Sequence, residues 1–232
     1  MKKLTAIFAF VASAVSVGLG AVGDAKFKEI QSKCYDKYEL TSCEKLCDLK
    51  DGDGCAVLAA AFYGGEENYP KAFHHAQIAC GLESALGCLF LGSFYAEGKG
   101  VAKDTEKGYD LMGEALCGLK LNMPTNFFTE FIEIKPNEAC YKFGVQYHHG
   151  QEVAQDYSKA AHYYQIACDL KNFYGCNNLG VLYYGGKGVK ASKNKVKEFF
   201  GKACDLGFQD GCENYKEMVN PSPKFERNSL FK

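Results

Sequence analysis

The chain carries almost no net charge, since 27 Lys and Arg against 28 Asp and Glu leave a formal net charge of −1 over 232 residues. Nucleic-acid binding depends on a basic surface that displaces counterions, so this balance gives no electrostatic case for DNA or RNA. Tryptophan is absent and there are only 5 prolines. Cysteine is abundant, at 12, yet no C-x2-C pair occurs. A structural zinc tetrahedron usually draws on such close pairs, so no metal is expected. The 5 histidines form no H-x-H-x-D group of metal-ligand spacing. His74-His75 and His148-His149 are adjacent in sequence and diverge around a helix. With the lone His162, they read as packing or surface residues. Asp48, Asp51 and Asp53 in DLKDGDG lack the alternation and closing glutamate of a calcium loop, and read as a solvated turn.

What is present begins with an export signal. Met1-Lys2-Lys3 is a short positive segment, LTAIFAFVASAVSV (4 to 17) is apolar, and small residues follow in GLGAVGDA. This is the anatomy of a cleavable leader, taken as 1–23, with Gly20, Gly23 or Ala25 as its last residue. Counted through Val22 the run reaches 19 residues, the length of a short anchor. Its Ala, Gly and Ser content favours cleavage, and no cysteine lies near the cleavage region to take a lipid. The mature chain is therefore expected to be exported, secreted or periplasmic, with no membrane attachment. An even cysteine count in that setting reads as disulfides.

Four stretches share one form: CDLKDGDGC (47 to 55), CGLESALGC (80 to 88), CDLKNFYGC (168 to 176) and CDLGFQDGC (204 to 212). Aligned on the second cysteine, the spacings are 33 from Cys55 to Cys88, 52 from Cys88 to Cys140, and 36 for each of the next two steps. A period in the mid-thirties signals stacked helix-turn-helix units. The spacing of 52 is one period of 37 with 15 residues inserted, which stretches the Cys117 to Cys140 interval. From its leading cysteine each unit carries an apolar residue at +3, a small one at +4, an aromatic at +7 and glycine at +10. Leu91, Gly92, Tyr95, Gly98 and Leu179, Gly180, Tyr183, Gly186 are examples. Positions 0, 3, 4 and 7 share a helical face and the glycine stops the helix. A second helix follows, as in KAAHYYQIAC (159 to 168), so each unit is an αα-hairpin.

CLFLGSFYAEGKGVAKDTEKGYDLMGEALC (88 to 117) and CNNLGVLYYGGKGVKASKNKVKEFFGKAC (176 to 204) resemble Sel1-like repeats, relatives of the tetratricopeptide repeat. Cysteine where such repeats usually carry alanine resembles the Helicobacter cysteine-rich proteins. The resemblance covers about 34 to 219 and departs from the pattern in the first loop, GGEENYPKA, in one extra residue before Cys117, and in the insertion 118–139. The expected fold is all-α: an αα-hairpin solenoid of Sel1-like, TPR-like repeats cross-linked by disulfides. Its divisions are an N-terminal stapled cap 34–54, repeats 55–87, 88–139, 140–175 and 176–211, and a C-terminal cap helix and tail 212–232. In each clip the first cysteine ends a second helix and the next opens the following first helix. The expected pairs are Cys34–Cys43, Cys47–Cys55, Cys80–Cys88, Cys117–Cys140, Cys168–Cys176 and Cys204–Cys212.

The same resemblance implies penicillin binding or slow β-lactam hydrolysis, and with it a β-lactam or cell-wall-derived small molecule as ligand. Serine β-lactamases combine S-x-x-K with S-D-N and K-T-G. Here Ser42 with Lys45 and Ser192 with Lys195 match the first element, and the other two are absent. No cofactor is implied. The other reading is a scaffold whose stacked first helices hold a protein or peptide. Its candidate residues lie outside the repeated core pattern: Tyr141, Lys142, His148, Asn177, Asn178 and Tyr184. The insertion adds Phe127, Phe128 and Phe131, set either for a supernumerary packed helix or for an exposed apolar patch.

Overall fold

The computed structural model describes residues 24–65, 67–118 and 135–220; the expected leader 1–23, the insertion aromatics Phe127, Phe128 and Phe131, and the tail beyond 220 lie outside them. Among the described residues the elements are eleven α-helices and no strand. The chain divides into two compact units, Met1–Glu133 and Ile134–Lys232. Unit 1 holds α1 Asp24–Tyr35, α2 Leu40–Asp48, α3 Gly52–Gly64, α4 Tyr69–Gly81, α5 Ala85–Glu97 and α6 Thr105–Cys117. Unit 2 holds α7 Pro136–His149, α8 Tyr157–Asp169, α9 Phe173–Gly185, α10 Lys193–Asp205 and α11 Gln209–Val219. Within each unit every helix packs on its chain neighbour. The first helices of successive hairpins also meet, α3 on α5 and α7 on α9.

One turn chemistry recurs at the four short clips. A leucine follows the second helix (Leu49, Leu82, Leu170, Leu206), and the next residue takes a positive φ: Lys50 at 64°, Glu83 at 62°, Lys171 at 64° and Gly207 at 90°. Its N–H returns to the carbonyl of the clip's first cysteine. The N–H one residue later returns to the carbonyl just before that cysteine, as in Asn172 to Ala167 at 2.8 Å. These bonds satisfy the carbonyls that a helix end leaves open. The residue after the turn caps the new helix, with Asp51, Ser84 and Asn172 accepting from the N–H of Gly54, Gly87 and Gly175. Because the cap stands four residues before the second cysteine, each first helix starts about a turn ahead of that cysteine. The repeat frames 55–87 and 176–211 read from the sequence begin inside α3 and α9 for this reason.

The turn sets the two cysteines of a clip side by side. Cα–Cα distances are 4.6 Å for Cys47–Cys55, 4.4 Å for Cys80–Cys88, 4.5 Å for Cys168–Cys176 and 4.4 Å for Cys204–Cys212. All four pairs are bonded, as are Cys34 and Cys43 between α1 and α2 at 4.8 Å. Cys117 and Cys140 are disulfide-bonded too, and no described cysteine is free. Around these staples the helix faces interlock. Unit 1 buries Tyr35, Leu46, Val57 and Leu58 in one cluster and Ala59, Ala72, Ala76 and Phe94 in another. Unit 2 buries Tyr147, Tyr164, Leu179, Leu182, Phe199 and Phe200. In unit 2 the small residue at +4 admits an aromatic from the second helix, with Gly144 against the Tyr164 ring and Gly180 against Phe200.

The positive φ gives a clean test. At Gly207 a Cβ would meet no atom within 4 Å, so Gly207→Ala isolates the backbone cost of a left-handed conformation. A loss of about 1 kcal/mol is expected. Lys171→Gly relieves the same strain and gives back part of the gain as chain entropy, for a net rise of a few tenths of a kcal/mol. Urea midpoints of the oxidised variants measure both. The same sign for the two changes would contradict the assignment.

Candidate binding face

In unit 2 the residues one and two places after each second cysteine form a ladder between hairpins. Asn214 on α11 donates from Nδ2 to Asn177 Oδ1 on α9 at 2.9 Å. One hairpin earlier, the Asn178 side chain on α9 hydrogen-bonds the hydroxyls of Tyr141 on α7 and Tyr164 on α8. Both rungs join positions 37 residues apart, one repeat plus one. Asparagine suits this place because one short side chain carries donors and an acceptor together. Two residues expected to face a ligand, Asn177 and Asn178, thus also link hairpins.

The tyrosines and His148 complete the face. Tyr141 stacks on Tyr174 at 5.5 Å between centroids and leans on Tyr164 at 6.0 Å. Tyr174 meets Phe208 edge-on at 5.2 Å, and Phe208 stacks on Phe173 at 5.3 Å. The row Tyr141, Tyr174, Phe208 therefore runs across three first helices or their caps. Burial pushes the Tyr164 hydroxyl well above the usual phenol range, with the Asn178 bond opposing it and Tyr141 reinforcing it. Tyr141 is raised in the same direction, also chiefly by burial. His148 Nδ1 lies 3.3 Å from the Tyr164 hydroxyl, and its ring stands edge-on to Tyr157. Burial, then His149, then Lys187 hold His148 below the ordinary histidine value, which favours the neutral imidazole. Lys142 is exposed on α7 and Tyr184 is half-buried on α9.

Tyr174 is 45% exposed although it is part of the ring row, and Leu170, in the turn before α9, is 44% exposed. Neither stood among the residues picked from the sequence, nor did Phe173 and Phe208. The signal was present in FYGC and GFQDGC as aromatics shortly before the second cysteine. Reading it requires knowing that the helix starts ahead of that cysteine.

The serine and lysine pairs take structural parts. Ser192 is the N-cap of α10 and accepts the Lys195 N–H at 3.4 Å. The Lys195 ammonium pairs with Glu198 at 2.9 Å, and that contact raises its pKa, the wrong direction for a general base. Ser42 is 2% exposed inside α2. Two of the three aspartates expected in a solvated turn are instead engaged, for Asp51 is buried and accepts from the Tyr35 hydroxyl at 2.8 Å, and Asp53 accepts from Ser84 at 2.7 Å. Burial raises Asp53 against that bond. His75 stacks on Phe62 at 5.3 Å, and its pKa is lowered, first by burial. Among the described residues no three His, Cys, Asp or Glu side chains converge as metal ligands. No described helix is long and apolar enough to cross a membrane. Ring faces, amides and a neutral imidazole can hold a ligand by stacking and hydrogen bonding.

The Sel1 repeat model matches residues 52–84, 85–117, 137–172 and 174–208, together more than half of the chain. These matches open within a residue of the starts of α3, α5, α7 and α9. A stretch of 42 residues, 18% of this chain and 17% of the relative, is 48% identical to a Helicobacter pylori protein named Beta-lactamase HcpA. Another of 100 residues, 41% of this chain and 40% of the relative, is 31% identical to cytochrome c oxidase assembly factor 7A of Xenopus laevis. The chain spans less than half the length of either curated relative. The crystal structure of a Sel1 repeat protein from Oxalobacter formigenes superposes with a TM-score of 0.51 at 20% identity, over 84% of this chain and 55% of that one, a likeness of fold alone. Four matched repeats, each an αα-hairpin in the structure, place this chain in the Sel1 repeat family.

Proposed function

We propose that the protein is an exported binding scaffold that holds a protein or peptide segment outside the cytoplasm, directed towards a host, through the ring row of unit 2. One observation carries this reading. Tyr174 keeps nearly half its surface in water while stacked within a row of aromatic rings, and exposed aromatics of this kind mark binding surfaces. Asparagine and tyrosine hydroxyls beside the row add hydrogen-bonding groups for a peptide backbone. The disulfides and the leader-like N-terminus support a compartment that oxidises thiols.

Selection of displayed random peptides on the oxidised protein tests the reading. Enriched peptides are expected to lose about tenfold in affinity on Tyr174→Ala, the loss typical of a central aromatic contact, with smaller losses on Lys142→Ala and Tyr184→Ala. Helical circular dichroism should stay unchanged in all three. No enrichment, or enriched peptides indifferent to Tyr174→Ala, would remove the ring row from the function. β-Lactam hydrolysis, which the name of one relative suggests, gains no support from the geometry at Ser192 or Ser42. Steady turnover of a chromogenic β-lactam that is lost on Ser192→Ala or Ser42→Ala would replace the scaffold reading.

A further inference from the structure

The near-zero net charge hides a segregated one. Between residues 187 and 202 stand six lysines, Lys187, Lys190, Lys193, Lys195, Lys197 and Lys202, with Glu198 as the single carboxylate. All six are exposed. Glu198 is shared by Lys195 at 2.9 Å and Lys202 at 3.0 Å, and Lys187 lies 5.1 Å from the centre of the Tyr157 ring. Lys190, Lys193 and Lys197 form the remainder of the strip, with Lys193 and Lys197 one helical turn apart on one flank of α10. Like charges at that spacing repel and cost stability, so the helix tolerates them without local benefit. The opposite face of α10 is sealed by Val196, Phe199, Phe200 and Ala203, all buried. The helix therefore has no apolar side left for insertion into a bilayer.

We propose that the 187–202 strip binds a linear sulfated polysaccharide. On α10 the strip is one helix wide, and from Lys193 to Lys202 it runs about 13 Å along the axis. Carboxylates bound it: Asp205 closes α10, and α11, packed on α10, exposes Asp210 and Glu213. A single sulfated chain can follow such a strip. A bilayer or a nucleic-acid duplex is broader than one helix and brings its own phosphates against those carboxylates. The strip contains no arginine, whose planar fork suits paired contacts to individual phosphates. Ammonium groups act as hydrated point charges and suit a diffuse polyanion.

The test measures binding of a sulfated decasaccharide to the oxidised full chain at low salt, beside its desulfated counterpart, a short DNA duplex and vesicles rich in anionic lipid. The sulfated sugar is expected to bind best and to weaken steeply as salt rises. The triple variant Lys190→Glu, Lys193→Glu, Lys197→Glu should lose at least about tenfold. A second triple variant, Lys26→Glu, Lys28→Glu, Lys37→Glu, makes the same charge change at exposed sites in and just after α1 and should stay within about twofold. Helical circular dichroism checks that both remain folded. No sulfate-dependent binding, equal losses in the two variants, or tighter binding to duplex or vesicles would overturn the proposal. The ring row of unit 2 is unchanged in both variants, so this result is independent of the peptide-binding reading.

Discussion

Reduction of the folded protein by a dithiol, without denaturant, is expected to abolish most of its helical circular dichroism at 37 °C. Each short clip closes a loop of about nine residues, and the chain-entropy account assigns such a loop about 2.6 kcal/mol. The five clips of known pairing (Cys34–Cys43, Cys47–Cys55, Cys80–Cys88, Cys168–Cys176 and Cys204–Cys212) then carry on the order of 13 kcal/mol. That matches the whole stability of a typical domain, about 5–15 kcal/mol. The buried core is rich in alanine, with Ala56, Ala59, Ala60, Ala72, Ala76 and Ala79 in unit 1 alone, and small side chains remove little area from water. Opening one clip, with Cys168→Ser and Cys176→Ser together, is expected to cost about 2–3 kcal/mol and leave the fold intact, because the backbone bonds of the turn remain. A fully reduced protein with unchanged helicity and an unfolding midpoint shifted by only a few degrees would show that packing alone holds the hairpins.

Gly87→Ala is expected to destabilise the oxidised protein by about 1–3 kcal/mol, the usual range for forcing an atom into a filled site. The residue before the second cysteine is glycine in all four short clips, Gly54, Gly87, Gly175 and Gly211, because two helices cross there. A Cβ at Gly87 would stand 2.7 Å from the Ala79 carbonyl carbon and 2.8 Å from the Cys80 nitrogen, backbone atoms that cannot turn aside. Gly81, at the end of α4, is the matched control. A Cβ there meets nothing within 4 Å, so Gly81→Ala should be neutral or stabilising by up to about 1 kcal/mol. Equal midpoints for the two variants in a urea titration would refute the close crossing.

Much of the hairpin pattern could be read from residue spacing, and the reason is physical. A 36-residue step between cysteines, an aromatic at +7 and a glycine at +10 are local consequences of helix period and helix termination, so they survive in one dimension. Gly98, Gly150 and Gly186 do end first helices in the left-handed conformation. The turn was harder to read, because three of the four left-handed positions carry Lys50, Glu83 and Lys171. Those side chains give no sign of positive φ, and the hydrogen bonds that impose it come from the helix end before them. The site was legible only in part. Tyr141, His148, Asn177 and Asn178 stand out as departures from the core pattern. That Asn178 reaches Tyr141 and Tyr164, and Asn177 reaches Asn214, depends on the lateral register of neighbouring hairpins. That register is set by packing across about 37 residues. Phe127, Phe128 and Phe131 lie outside the described residues, and no structural role is assigned to them.

Five helix reversals, from α1 to α2, α2 to α3, α4 to α5, α8 to α9 and α10 to α11, are each closed by their own pair of cysteines. Proteolysis of the purified protein under non-reducing conditions, with free thiols blocked at the start and the linked peptides identified by mass spectrometry, tests this pairing most directly. Cys34 is expected to be joined to Cys43, Cys47 to Cys55, Cys80 to Cys88, Cys168 to Cys176 and Cys204 to Cys212, with no blocked thiol at any of them. Links between cysteines of different clips, or thiols blocked at these ten positions, would contradict it.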